Sequence, residues 1–314
     1  MKYRYMILPT LLALMSVASS CNQEELPLAM PENTVIDITA QIGSPATRVT
    51  ETSDNVYSFD KNDSVAVVGW YGADWNDHPA PWATATDKWW INSLCVNTGS
   101  KWVATPQMRW QNVDAPHHFL AWWPYGFVSS GANLSDVKFD LDTLKVKDIL
   151  VARKSTEATP GIAVPFVFNH IFSRLDVNVV FGGQYSNITD VKLTFDAVTK
   201  GTLNLVADGG AAVSLASAVT TTSSLDKIAT VAEADYSCSS IILPQALTDM
   251  SFSIDFKVDG VAKSLTYVHP SFLFESGKRT TLNLNVGKDY VKMLGVTVTP
   301  WEDGGKVGTD NLID

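Results

Sequence analysis

Apolar and polar residues alternate along most of this chain, and no long stretch repeats its apolar residues at the three- and four-residue spacing of a capped helix. An alternation of two places every second side chain on one face of an extended strand, so such a chain buries its apolar half in sheets. Over residues 35–42, Ile36, Ile38, Ala40 and Ile42 share one face. Further strands are expected over residues 64–70, 163–168, 174–181, 190–195, 201–206, 239–243, 251–258, 262–268, 280–286 and 291–299. Gly182-Gly183, Asp208-Gly209-Gly210 and Asp259-Gly260 read as turns, and the last, between two alternating runs, is the clearest hairpin signal. Many short strands with such turns predict an all-β architecture of the sandwich type.

At 314 residues, 46% hydrophobic and 18% charged, the chain is long and apolar enough for two globular domains. Nine of the ten tryptophans fall between Trp70 and Trp123, whereas the second half is rich in Val, Thr, Leu and Ser. This shift places a boundary near Pro165, giving domains over residues 49–164 and 165–314. The net charge of −10, with no basic block or stripe, argues against nucleic acid as a partner.

The first 20 residues read as an export signal: Lys2 and Arg4, the apolar run from Met6 to Val17, then Ala18-Ser19-Ser20-Cys21. The run is too short to span a membrane. Small residues before Cys21 fit a lipobox, in which the cysteine is lipidated. Cys95 and Cys238 are expected as two buried thiols. Between Arg4 and Lys61 the sole basic residue is Arg48, in the segment GSPATRVTETSD. It reads either as a solvated loop residue or as a site for a trypsin-like protease.

Catalytic and metal signatures are missing from the sequence. It carries no Gly-rich phosphate loop, HExxH, CxxC or GxSxG. His117 and His118 are adjacent and would face opposite sides of a strand, and His78, His170 and His269 lack ligand-spaced partners. Asp140, Asp142 and Asp148 read as a solvated face. No cofactor, metal or catalytic residue is assigned, and the chain is not expected to be an enzyme. The tryptophans allow two readings. Trp102, Trp110, Trp122 and Trp123 suit a core. Trp75, Trp82, Trp89 and Trp90, among Asn and Asp residues, are equally suited to a core or to stacking on sugars, as in a glycan-binding surface lipoprotein.

Several segments, taken in order, resemble the fimbrillin-like family, the type V pilus subunits of Bacteroidales. They are the lipobox at Cys21, TVIDITAQI followed by Thr47-Arg48-Val49-Thr50, YSFDKNDSVAVVGW, KWVATPQMRW, HHFLAWWPY, KDILVARKS, VPFVFNHIFSRLDVNV and VTVTPWEDGG. The resemblance implies two tandem transthyretin-like β-sandwich domains and export to the outer membrane as a lipoprotein. It implies a propeptide over residues 21–48, cut after Arg48 by an arginine-directed protease. Removal of the strand bearing Ile36, Ile38, Ala40 and Ile42 would open a groove for a strand of another subunit. The expected donor spans residues 291–299, with Leu294, Val296 and Val298 on one face. Other pilin subunits, and an adhesion ligand of protein or glycan, are the implied partners. Shaft, tip and anchor roles all remain open. Asp63-Ser64-Val65 and Asp142-Thr143-Leu144 resemble a Bacteroidales O-glycosylation motif, and also read as plain strand residues.

Overall fold

A computed structural model describes residues 34–43, 59–78, 89–129, 131–216 and 220–301. Nineteen strands among them form four sheets. A seven-stranded sheet contains β1 (Ile38–Ile42), β2 (Ser64–Tyr71), β3 (Trp89–Asn97), β4 (Trp102–Thr105), β5 (His117–Trp123), β7 (Leu150–Thr156) and β8 (Val164–His170), in the order β1-β8-β7-β5-β2-β3-β4. A three-stranded sheet joins β6 (Val137–Asp140), β11 (Lys200–Asn204) and β12 (Ala212–Leu215). A five-stranded sheet orders β14 (Asp226–Lys227), β15 (Tyr236–Ile242), β9 (Ser173–Phe181), β18 (Lys278–Val286) and β19 (Val291–Pro300). The fourth sheet orders β13 (Thr221–Ser224), β10 (Ile188–Ala197), β16 (Gln245–Val258) and β17 (Val261–Phe274).

The chain is thus all-β, as its alternation predicts. The five- and four-stranded sheets enclose one core, with Leu175, Val177, Leu282 and Leu284 from one side meeting Phe195, Phe252, Ile254 and Phe256 from the other. Each of these strands turns its polar alternates outward, which is why the sequence shows them clearly. Asp259 and Gly260 join β16 to β17 with φ of 49° and 80°. Two successive positive φ values suit the right-handed twist of a hairpin, and the pair closes the long ladder from Gln245↔Phe274 to Val258↔Val261.

The seven-stranded sheet is covered on both faces. One face packs Val68, Trp70, Leu120 and Val151 against Phe139 and Leu203 of the three-stranded sheet. The other carries Val65, Val67, Phe119, Phe166 and Phe168 against Ile36, Phe59, Met108 and Trp110. Arg153 fastens the first arrangement: its guanidinium lies 4.5 Å from the Trp75 ring and donates to the carbonyls of Ala207, at 2.6 Å, and Leu205.

Sheet membership does not follow the composition shift at Pro165. β8, expected to open the second half, pairs with β7 and β1, and β11, expected among the later strands, pairs with β6. The open face of the seven-stranded sheet needs apolar cover, and Leu203 and Leu205 supply it from later in the chain. The acidic trio departs only in part from the expected solvated face. β6 ends at the half-buried Asp140, Asp142 is exposed in the following turn and accepts from Thr199 Oγ1 at 2.9 Å, and Asp148 is buried. Cys95 and Cys238 are free, buried thiols, as expected.

Candidate functional site

The residues of interest are those of the first described strand. Residues 34–36 run antiparallel to residues 108–110: Ile36 N donates to Met108 O at 3.0 Å and Trp110 N to Thr34 O at 2.8 Å. Past Asp37 the chain shifts to a second neighbour. Val164 N donates to Asp37 O at 2.8 Å, and β1 pairs in parallel with β8 from Ile38↔Val164 to Ile42↔Phe168. Gly43, at φ +79°, turns the chain away.

Alternation decides what this strand buries. Ile36 and Ile38 are 1% and 6% exposed, and Ala40 and Ile42 pack half-buried on the same cluster, which includes Phe166, Phe168, Met108 and Trp110. All four residues of the expected face therefore meet one core. The strand connects to no neighbouring strand by a tight hairpin. Taking it away would uncover apolar side chains and leave backbone groups of β8 and of residues 108–110 without partners.

The expected donor, β19, forms an edge of the five-stranded sheet and, among the described residues, pairs only with β18. Val296 and Val298, opposite Leu282 and Thr280, are 38% and 50% exposed. Leu294, beside the register shift between Asn283 and Leu284, is 58% exposed. The three apolar residues thus lie on an edge strand with much of their surface uncovered. Trp301, which follows the strand, is 4% exposed and stacks on His170.

The sugar-stacking candidates fare differently. Trp75 is half-buried, lies against Arg153, packs edge-on to Trp70 at 4.6 Å, and donates Nε1–H to Val206 O at 3.2 Å. Its ring thus packs within the fold. Trp89 and Trp90 open β3, and Trp89 pairs with Trp70. Trp82, Cys21 and Arg48 lie outside the described residues. Ser64 opens the paired strand β2, and Thr143 sits exposed in a turn, its hydroxyl donating to Asp140 O at 3.1 Å. Among the described residues no group of His, Cys, Asp or Glu could hold a metal, and no helix is long and apolar enough to cross a membrane.

The sequence model of a family described as fimbrillin-like matches residues 47–301. The chain belongs to the fimbrillin-like family. The match begins just beyond β1 and ends at Trp301. Solved structures share the fold. A protein from Bacteroides ovatus described as a cell adhesion protein aligns with TM-score 0.63 at 19% identity, covering 86% of this chain and 99% of that one. One from Bacteroides uniformis, with the same description, gives 0.57 at 17% identity over 87% and 100%. A fimbrial protein from Bacteroides vulgatus gives 0.53 at 14% identity over 86% and 100%. No curated protein matches the chain. Membership in the fimbrillin-like family makes this a structural protein, not an enzyme.

Proposed function

We propose that this fimbrillin-like protein is a fimbrial subunit assembled by strand exchange. It is exported as a lipoprotein through Cys21, reaches the outer membrane, and is cut after Arg48 by an arginine-directed protease. Residues 21–48 then leave, and a strand from another subunit takes the place of residues 34–42. The observation that carries this reading is the position of that strand. It is first in the described chain, lies at the margin of its sheet, and buries Ile36 and Ile38 in the core. Arg48 follows Gly43 by a few residues, so one cut would separate the strand from the fold it completes. A replacement strand would restore the ladder with its backbone and fill the groove with alternate side chains. The exposed Leu294, Val296 and Val298 favour β19 as that donor, and hence a shaft role over a tip that only accepts.

Limited digestion of the soluble precursor with trypsin tests the first step. The first cut maps to Arg48, because most of the other described basic residues lie in strands, held in ladders that resist entry to a protease site. Arg48→Ala folds normally and does not polymerise. Assembly of Arg48→Ala at the wild-type level, or a first cut elsewhere, refutes the mechanism. Lipidation is read separately: Cys21→Ala loses fatty-acid label and membrane association, and unchanged labelling removes that step.

A further inference from the structure

His170 closes β8, the strand on which residues 38–42 pair. Its ring stacks on Trp301, with centroids 3.8 Å apart and planes 9° from parallel. Trp301 directly follows β19. The strand that would receive and the strand that would donate therefore end on one aromatic contact.

That contact is firmly built. Asp148 Oδ1 lies 2.9 Å from His170 Nδ1 and fixes the imidazole, and both residues are buried. Trp301 N donates to Gly277 O at 2.8 Å, and Gly277 N donates to Phe172 O at 2.9 Å. Ser276 Oγ donates to Ile171 O at 2.9 Å. Gly277 has φ +67°, and a Cβ there would stand 3.3 Å from His170 O. The turn before β18, the end of β8 and the residue after β19 thus form one knot.

The pairing of β8 shows how the knot would respond. β8 pairs with β7 at Leu150↔His170 and Val151↔Asn169, next to the knot, whereas Val164 to Phe168 pair with β1. Loss of β1 would free the far part of β8 and leave the strand hinged at His170. The geometry points to a latch: the His170–Trp301 stack holds β19 in its own sheet while residues 34–42 are in place, and slackens when they leave. A subunit then gives its strand only after losing its own plug. This rests on the strand-exchange reading, and it adds an order of events which that reading does not require.

Hydrogen exchange on the intact precursor separates the two. Ile36→Asp/Ile38→Asp dislodges the plug without any protease. Amides of residues 293–299 then exchange about tenfold faster or more. Trp301→Ala gives the same gain with the plug in place, and adding the plug substitutions to it gives no further gain. Trp301→Phe, which keeps a stacking ring, gives a smaller one. Unchanged amides in residues 252–256 show that the fold persists in each variant. If the plug variant speeds exchange in residues 164–168 but leaves residues 293–299 as in the wild type, the latch is refuted while strand exchange stands. If residues 293–299 loosen as expected but the cut wild-type protein never polymerises, strand exchange fails and the coupling stands. If Trp301→Ala leaves residues 293–299 protected, the stack is no latch.

Discussion

The strand over residues 34–42 makes one quantitative demand. Ile36 and Ile38 are all but fully buried, and full burial of an isoleucine contributes about 1.5–3 kcal/mol. Truncation to alanine in a packed core costs about 2–5 kcal/mol, because a cavity adds to the lost transfer energy. Both side chains enter one cluster, so the two costs are not strictly additive, and about 4 kcal/mol is a conservative lower figure for Ile36→Ala/Ile38→Ala. That loss is not drawn from the whole protein. The core between the five- and four-stranded sheets contains neither residue, and the strand touches no element of it by backbone pairing. The strand should therefore leave on its own. Hydrogen exchange read by peptide mass reports this directly. Protection of residues 34–43 and of the Val164 amide, which donates to Asp37 O, falls about a hundredfold or more. Residues 250–258 keep theirs. Ile38→Val, which removes one methylene, costs about 1 kcal/mol and serves as the graded control. Unaltered protection at Val164 would refute the reasoning, since the strand would then be held by something other than its buried face. An equal loss in residues 250–258 would also refute it, since strand and distant core would be one cooperative unit.

Burial pushes the Cys95 thiol up to about 12 and raises Cys238 as well, so neither is a thiolate at pH 8. A chromogenic disulfide reagent leaves both untouched in the native chain and titrates both in guanidinium, and fast native labelling would contradict the buried placement. Trp75→Ala lowers stability by about 3 kcal/mol through lost packing, the Arg153 contact and the bond to Val206 O, and leaves glycan retention in affinity electrophoresis unchanged; a loss of retention at wild-type stability would reinstate the sugar platform. His117 is fully buried, and desolvation lowers its pKa from 6.5 to about 4. The unfolded chain takes up the proton first, so this contribution is complete above pH 6.5 and declines as pH falls toward 4. Between pH 7 and pH 5 urea denaturation should register a loss of about 2 kcal/mol from this group, absent in His117→Asn; an equal slope in the variant would count against it.

The two halves of the chain were unequally legible, for a physical reason. β9, β10, β16 and β18 each bury one face, and their alternation reads directly as strand. β5 is buried along almost its whole length, on both faces of the seven-stranded sheet, so HHFLAWW carries no alternation to read. β3, β4, β6 and β7 are also absent from the expected strands, as are the short β12, β13 and β14 of the second half. The face of Ile36, Ile38, Ala40 and Ile42 was legible because it is a local pattern. Its partner was not: that β8 runs parallel to it, and that residues 108–110 take over before Ile38, are facts of long-range pairing that no local spacing encodes. The same holds for Trp301. A lone tryptophan in a polar tail shows no partner until His170, held by Asp148, is seen stacked on it. Arg153 on Trp75 is a further case, since four tryptophans among Asn and Asp residues look alike until a cation occupies one of them.

Under the proposed exchange, the donor's gain has to be weighed against what it gives up. β19 pairs with β18 along its whole length, from Lys278↔Pro300 to Val286↔Val291, whereas β1 pairs with β8 over Ile38 to Ile42. Apolar burial alone does not favour the move strongly. Leu294, Val296 and Val298 are already about half covered, so complete burial adds about 1 kcal/mol each. The backbone supplies the rest of the case. Among the described residues β19 has one neighbour on its own sheet. The groove left by residues 34–42 also supplies one neighbour at a time, residues 108–110 to the first part of an incoming strand and β8 to the rest. Direction decides between the donor and the resident strand. The resident strand is parallel to β8, and parallel ladders, with slanted bonds, are slightly weaker per residue than antiparallel ones. A donor entering antiparallel to β8 would form the better ladder there. While the resident strand is tethered through Gly43, its high effective concentration keeps any donor out. The cut removes that advantage while the pairing of residues 34–42 stays in place, and this is why a protease site just after the strand, and not a weakness within it, is the control that this arrangement calls for.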